Sequence, residues 1–465
     1  MHVKPATPGP SAAFDDLRVA EARGRRLLSQ AVVRAAAGMI LVVLAVAMAV
    51  ALSNQPPSSS VLLAFGAGVL GSLALAAVRY DALVALGVLL LAAVQLEPAP
   101  SDFIFGVAIA LALVTGQLAA SRIPPGVVWL VTFFVTLNLL SAVEVVDASR
   151  ASFYLSITVY LLVFAVWLAV YVDSTHRARL IIGTYMAAAA LSALLASLAL
   201  FASFPGHELL VYGGDRAQGL FKDPVVFASY LVLPALITAE QVVARRAGWA
   251  RRLGAAAIFL VLALGILLSY SRGAWLSLAV GLLVLAAVVI VRQGAAGRLL
   301  ALSAVLLVTG IGAFATVKIS GSEELVVQRA GVQRYDEQRF GAQLFGIDQS
   351  ARYPLGIGPG QFEVLSPVSA HSLYVRALAE QGLLGLLTLL ALVFLTLALA
   401  VGNALAGRDT YGIGSAALLA AWCALLVDSL FVDTLHWRHL WLVAALIWAG
   451  SARSRLSTRR IPVGG

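Results

Sequence analysis

The chain has 465 residues, of which 61% are hydrophobic and 12% charged, with a mean hydropathy of +0.94 and a formal net charge of +9. Soluble domains carry roughly 25% charged residues, and a soluble chain of this length could not hide so much apolar surface, so the sequence is that of a polytopic membrane protein. A cytosolic enzyme, a disulfide-built secreted domain and a disordered chain are excluded; the single cysteine, Cys423, lies in an apolar run and supports neither a disulfide nor a cysteine-ligated metal.

A span needs roughly 20 mostly apolar residues. In chain order, a polar tail (1–31) precedes predicted spans at 32–52, 61–78, 82–96, 103–120, 126–143, 153–172, 180–203, 225–243, 254–270, 273–291 and 299–317. A polar loop of 54 residues, 318–371, then leads to spans at 372–402, 412–431 and 438–450 and a basic tail at 451–465. The N-terminal tail is too long, and lacks a convincing cleavage site, for an ordinary signal peptide. These segments predict an all-α fold, a transmembrane helical bundle of about 12–14 spans with one large extracytoplasmic loop.

Lysine and arginine set the orientation. Both tails are basic, with Arg18, Arg23, Arg25 and Arg26 at one end and Arg453, Arg455, Arg459 and Arg460 at the other. Alternate short links hold eleven basic residues, from Arg79 to Arg408, against five in the opposite links: Arg150, Arg216, Lys222, Arg272 and Arg438. Both termini are therefore expected in the cytoplasm and the 318–371 loop outside. The positive charge reads as this topogenic signal, with no nucleic-acid partner.

The cations on the unfavoured side are the informative ones. Arg272, in SYSRGAW, has almost no loop to place it in water: it snorkels to headgroups or faces an anion in a cavity. Arg216, in GGDRAQGLFKDP, is either neutralised by Asp215 or part of the same anion site. Lys222 precedes Asp223-Pro224, which also reads as a helix start. Three outer cations suit a diphosphate, whose oxygens a guanidinium grips bidentately. His371 stands where the large loop enters a span, with Tyr374 one helical turn on; it is either a structural histidine or a group that guides a proton. Glu363, Asp336 and Glu337 are the rival bases in the loop. Arg376 and Glu380, four apart, form a structural pair on one helix. The run 354–362, rich in glycine, lacks the strand and helix of a nucleotide loop; its glycines let the chain turn sharply. Asp428, Asp433, His436, Arg438 and His439 cluster at the last outer link, where Arg438 opposes a metal cation and aspartate–arginine pairing explains the cluster.

The segment GDRAQGLFKDP, then SYSRGAWLSLAVG (269–281), then GIGPGQF and AHSLYVRALAEQGLLGLL (370–387), in this order and spacing, resembles the O-antigen ligase and O-antigen polymerase superfamily over residues 205–395. The resemblance implies a metal-independent, inverting membrane glycosyltransferase of GT-C type, without cofactors, in the bacterial inner membrane with its active site on the periplasmic side. The donor it implies is a glycan on undecaprenyl diphosphate, and the acceptor is lipid A–core (ligase) or another glycan (polymerase). By position His371 matches the family's essential loop histidine, Arg272 its serine-arginine-glycine arginine and Arg216 its arginine in the preceding outer loop. On this reading Arg216, Arg272 and Lys222 hold the donor diphosphate, His371 is catalytic, and Tyr374, Glu363, Asp336, Glu337 and Arg438 support the acceptor. The competing classes are a lipid-linked glycan or small-anion transporter, which needs polar groups near the bilayer midplane, and a non-enzymatic envelope scaffold. Convergence of His371, Arg216 and Arg272 would distinguish the transferase from the scaffold.

Overall fold

The computed structural model describes Gly71, Ser72, Leu75, residues 79–95, 98–118, 122–143, 145–244 and 248–293, Gly310, and residues 334–458. The expected span 32–52, nearly all of 61–78 and of 299–317, the N-terminal tail and the first part of the large loop lie outside them.

The described chain is mostly helical. After a helical segment at 79–89 come α1 (Pro100–Val114), α2 (Pro125–Ser141), α3 (Ala148–Tyr171), α4 (Thr175–Ala199), α5 (Pro224–Val243), α6 (Trp249–Leu268) and α7 (Arg272–Gln293). The loop contributes α8 (Arg334–Arg352) and the single turn α9 (Phe362–Leu365), followed by α10 (Leu373–Leu405), α11 (Ser415–Asp428) and α12 (Arg438–Thr458). Among the described residues six helices, α3 to α7 and α10, are long and apolar enough to cross a membrane. The protein is a multi-pass helical membrane protein.

Side-chain chemistry sets the helix starts. The Asp147 carboxylate accepts from the Arg150 amide at 2.9 Å, and Ser174 Oγ from the Arg177 amide at 3.3 Å. Asp223 accepts from the Val225 amide at 2.6 Å, with Pro224 in the first turn, so the helix start legible at Lys222-Asp223-Pro224 is formed. Small residues bring the helices close: Gly265 of α6 packs on Ala193 of α4, the packing on which association in lipid depends.

Two elements depart from expectation. The predicted span 82–96 is helical only to Leu89; a 3₁₀ turn (Leu90–Ala92) and the strand β1 (Ala93–Val94) follow. The chain turns there because β1 pairs in parallel with β4 (Leu220–Phe221), in the link before α5. That link also holds a small hairpin, β2 (Val211–Tyr212) with β3 (Arg216–Ala217).

Helix α10 is broken at Gly382, whose φ of 69° and ψ of −174° are outside the helical region. The carbonyls of Ala379 and Glu380 accept instead from Ile357 and Gly358 of the glycine-rich loop, at 2.9 and 3.0 Å. A break in an apolar helix is tolerated where protein, not lipid, satisfies the backbone. The fit leaves no room for a Cβ at Gly356, which would collide with the Glu380 carbonyl, or at Gly382, which would collide with that of Pro354. Gly356 also has a φ of 89°. Gly356→Ala should therefore destabilise the protein by about 1–3 kcal/mol from backbone strain alone; an unchanged unfolding temperature in detergent would show that the loop does not dock.

Candidate active site

Three segments meet at one cavity of about 710 Å³. The hairpin brings Arg216, the start of α7 brings Arg272, and the residue before the cap of α10 brings His371. The loop helix α8 closes the side with Asp336, Arg339 and Gln343. Spacings of three and seven residues from Asp336 put these three on one face of α8. Among the described residues the lining holds three arginines, Arg216, Arg272 and Arg339, against two aspartates, Asp223 and Asp336.

The two motif arginines are held differently. Arg216 Nε donates to the Ser269 carbonyl at 2.8 Å, and its guanidinium lies 5.8 Å from the centre of the Tyr212 ring. It thus ties the hairpin to the turn that launches α7. That turn is made by Ser269, whose Oγ accepts from the Ser271 amide at 3.1 Å, and by Tyr270 in the left-handed region at φ 51°. Arg272 Nη2 donates to both Asp336 oxygens, at 2.7 and 3.0 Å. Asp336, expected among the rival bases, is thus drawn into this ion pair.

His371 is half-buried, and its backbone is left-handed at φ 45°, a conformation in which histidine is enriched but still uncommon. Gln343 Nε2 reaches its carbonyl at 3.4 Å. Burial lowers the imidazole below its ordinary 6.5, and the charges of Arg339 and Arg376 lower it further, against smaller opposing effects of Asp433 and Asp223. The ring is therefore neutral near pH 7 and can accept a proton.

Behind His371 lies an ionic network with Arg376 at its centre. The Arg376 guanidinium is 3% exposed; Nη1 donates to Glu380 at 2.7 Å, Nε faces Asp433 at 2.5 Å, and Nη2 binds Glu363. Arg150 Nη2 joins Glu363 at 3.3 Å, and Arg150 Nε donates to the Gly360 carbonyl at 2.7 Å. The expected Arg376–Glu380 pair is present, but it is one arm of this larger network. Burial alone would raise the Glu363 carboxyl; hydrogen bonding and charge from Arg376, with Ser369, bring it down to about 2. Glu363 is thereby an ionised partner of Arg376, unsuited to be a base near neutral pH. Gln361 locks the loop to the α2–α3 link: its Oε1 accepts from the Val146 and Asp147 amides at 3.0 and 2.9 Å.

Several expected residues lie elsewhere. Lys222, grouped by sequence with the diphosphate arginines, lines a second chamber of about 280 Å³, as do Glu363 and Arg438. Lys222 and Asp223 are neighbours in the chain yet belong to opposite chambers. Arg438 does pair with aspartate, though with Asp102 of α1 (Nε to Oδ1, 2.6 Å). Tyr374 donates from its hydroxyl to the Leu426 carbonyl at 3.1 Å, between helices. Glu337 is exposed on α8 and outside the cavity lining. Sequence reasoning passed over Arg339, whose helical spacing from Asp336 was a usable signal, and Arg150, which was counted only for topology.

No protein-family model matches the chain, and no curated protein is similar to it.

Proposed function

We propose that the protein is a membrane glycosyltransferase of the O-antigen ligase type, moving a glycan from a polyprenyl diphosphate to an acceptor hydroxyl at the outer face of the inner membrane. The observation that carries this reading is that Arg216, Arg272 and His371, drawn from three separate segments, line one cavity. A scaffold has no need of that convergence.

On this reading the acceptor oxygen attacks the anomeric carbon as the bond from that carbon to the diphosphate oxygen breaks. His371, neutral near pH 7, takes or guides the hydroxyl proton. Arg216 and Arg272 stabilise the charge that develops on the leaving diphosphate. The Asp336 carboxylate holds the Arg272 fork in place, and donor binding exchanges this carboxylate for phosphate oxygens. The prenyl chain lies among the apolar helices.

Arg216→Lys and Arg272→Lys should each impair transfer, because an ammonium cannot reproduce the bidentate fork. Losing one hydrogen bond to a charged group, about 1.5–3 kcal/mol, corresponds to about a ten- to hundredfold loss. Full activity in both variants would leave only generic charge. The function itself is tested by deleting the gene and separating envelope glycans on gels. Free lipid-linked polymer that is no longer attached marks a ligase, single repeats on the carrier or core mark a polymerase, and an unchanged pattern overturns the reading.

A further inference from the structure

The larger cavity has a neighbour. Lys222, Ser369 and Asp433 line the second chamber, while the residue adjacent to each in the chain, Asp223, Val368 and Val432, lines the first. The chambers are therefore separated at three places by a single thickness of chain, with adjacent side chains turned to opposite faces. His371 lies two residues beyond Ser369, at the edge of this wall.

The second chamber differs in chemistry. Its charged lining is mixed and compensated. With the groups bonded directly to that lining included, four cations (Lys222, Arg150, Arg376, Arg438) meet four carboxylates (Asp102, Glu363, Glu380, Asp433) among the described residues. An anion there meets Glu363 and Asp433, and a cation meets Arg376 and Arg438. Hydroxyl groups, each both donor and acceptor, suit such a lining better than either ion. Tyr154 and Trp437 add aromatic surface, which packs on the apolar face of a sugar ring. Tyr230 lines this chamber and is 1% exposed, and its hydroxyl has no hydrogen-bond partner among the described residues. A buried hydroxyl in that condition calls for an explanation.

We infer that the second chamber is the acceptor subsite and takes an uncharged, hydroxyl-rich sugar residue, presenting one hydroxyl across the thin wall toward His371. The inference rests on the transferase reading above. It divides the work: the diphosphate lies on the arginine side and the acceptor sugar on the mixed-charge side.

The test uses two photoreactive probes, diazirine-tagged undecaprenyl diphosphate and diazirine-tagged maltotriose, on the purified full chain in nanodiscs, with labelled peptides mapped by mass spectrometry. The diphosphate should label the start of α7 and the α8 face, and maltotriose the outer half of α3 and residues 433–437. Ile157→Trp, which fills the second chamber from its α3 wall, should cut maltotriose labelling about tenfold, and leave the diphosphate labelling within about twofold. Tyr230→Phe removes only the hydroxyl, so folding is not at risk. It should raise the acceptor KM in glycan transfer about two- to tenfold, the value of one neutral hydrogen bond, with kcat retained. Maltotriose labelling confined to α7 and α8, or an unchanged acceptor KM in both variants of an enzyme that transfers glycan, overturns the acceptor assignment alone. Wild-type protein that neither captures undecaprenyl diphosphate nor transfers glycan overturns the transferase reading, and the acceptor role with it.

Discussion

Arg376→Met should unfold or strongly destabilise the protein, by about 3–5 kcal/mol, the range for removing one partner of a buried ion pair. The guanidinium is 3% exposed and serves Glu363, Glu380 and Asp433 together, with Glu380 only 1% exposed. Without it three carboxylates crowd one buried site. Arg376→Lys should also be damaging, since a single ammonium cannot reach in three directions. A double variant, Arg376→Met with Glu380→Leu, removes both charges of the tightest pair and should recover part of the loss, because apolar replacement of a whole buried pair is often neutral. The sign with pH also follows. Glu363 titrates at about 2, below its ordinary 4.5, so its contribution is present above the ordinary range and is lost as pH falls toward 2. That acid-sensitive part should vanish from Arg376→Met. Thermal unfolding in nanodiscs between pH 7 and pH 3 reads both effects, and an Arg376→Met midpoint equal to wild type would sink the account.

His371→Ala should transfer glycan about a hundredfold or more slowly, the lower end of general-base assistance, while still folding and capturing lipid-linked donor. The side chain is half-buried, so its truncation leaves only a small cavity, and the left-handed backbone already carries a residue with a Cβ. The imidazole titrates below 6.5, chiefly through burial, so the proton-accepting form persists to lower pH than in a free histidine. The acid limb of the rate profile should accordingly fall below 6.5, and His371→Ala should lose that limb. Stability moves in the same direction as for Glu363: the folded state resists protonating this ring, so some stability is lost as pH falls through the ordinary value. Normal turnover in purified His371→Ala, with low thermal stability in its place, would make the histidine structural.

Residues 205–395 were legible where short motifs carry their own geometry. The helix start at Asp223-Pro224 and the sharp turns of the 354–362 loop follow from local preference, and each is present. The convergence of Arg216, Arg272 and His371 was left open by the sequence, because three segments far apart in the chain have to meet; the cavity brings them together. What escaped depends on long-range partners. Arg438 reads as a neighbour of Asp433, yet its carboxylate is Asp102, 336 residues away. Lys222 reads as one more outer cation, because a side chain's choice between two chambers depends on the local direction of an extended chain. The break at Gly382 hides within an apolar run, where a glycine alone does not separate a bent helix from a straight one.

That break carries a consequence for how the protein is made. The groups that complete α10 belong to residues 357 and 358, which leave the ribosome before the carbonyls they serve. On the proposed topology, with the loop outside, the loop crosses the bilayer and folds against α8 before this end of α10 is finished. A chain whose loop stays behind therefore has two backbone carbonyls stranded at the membrane, each costing several kcal/mol. Correct translocation of the loop and completion of the helix become one event, so a mis-inserted copy is unstable from birth and open to removal by proteolysis.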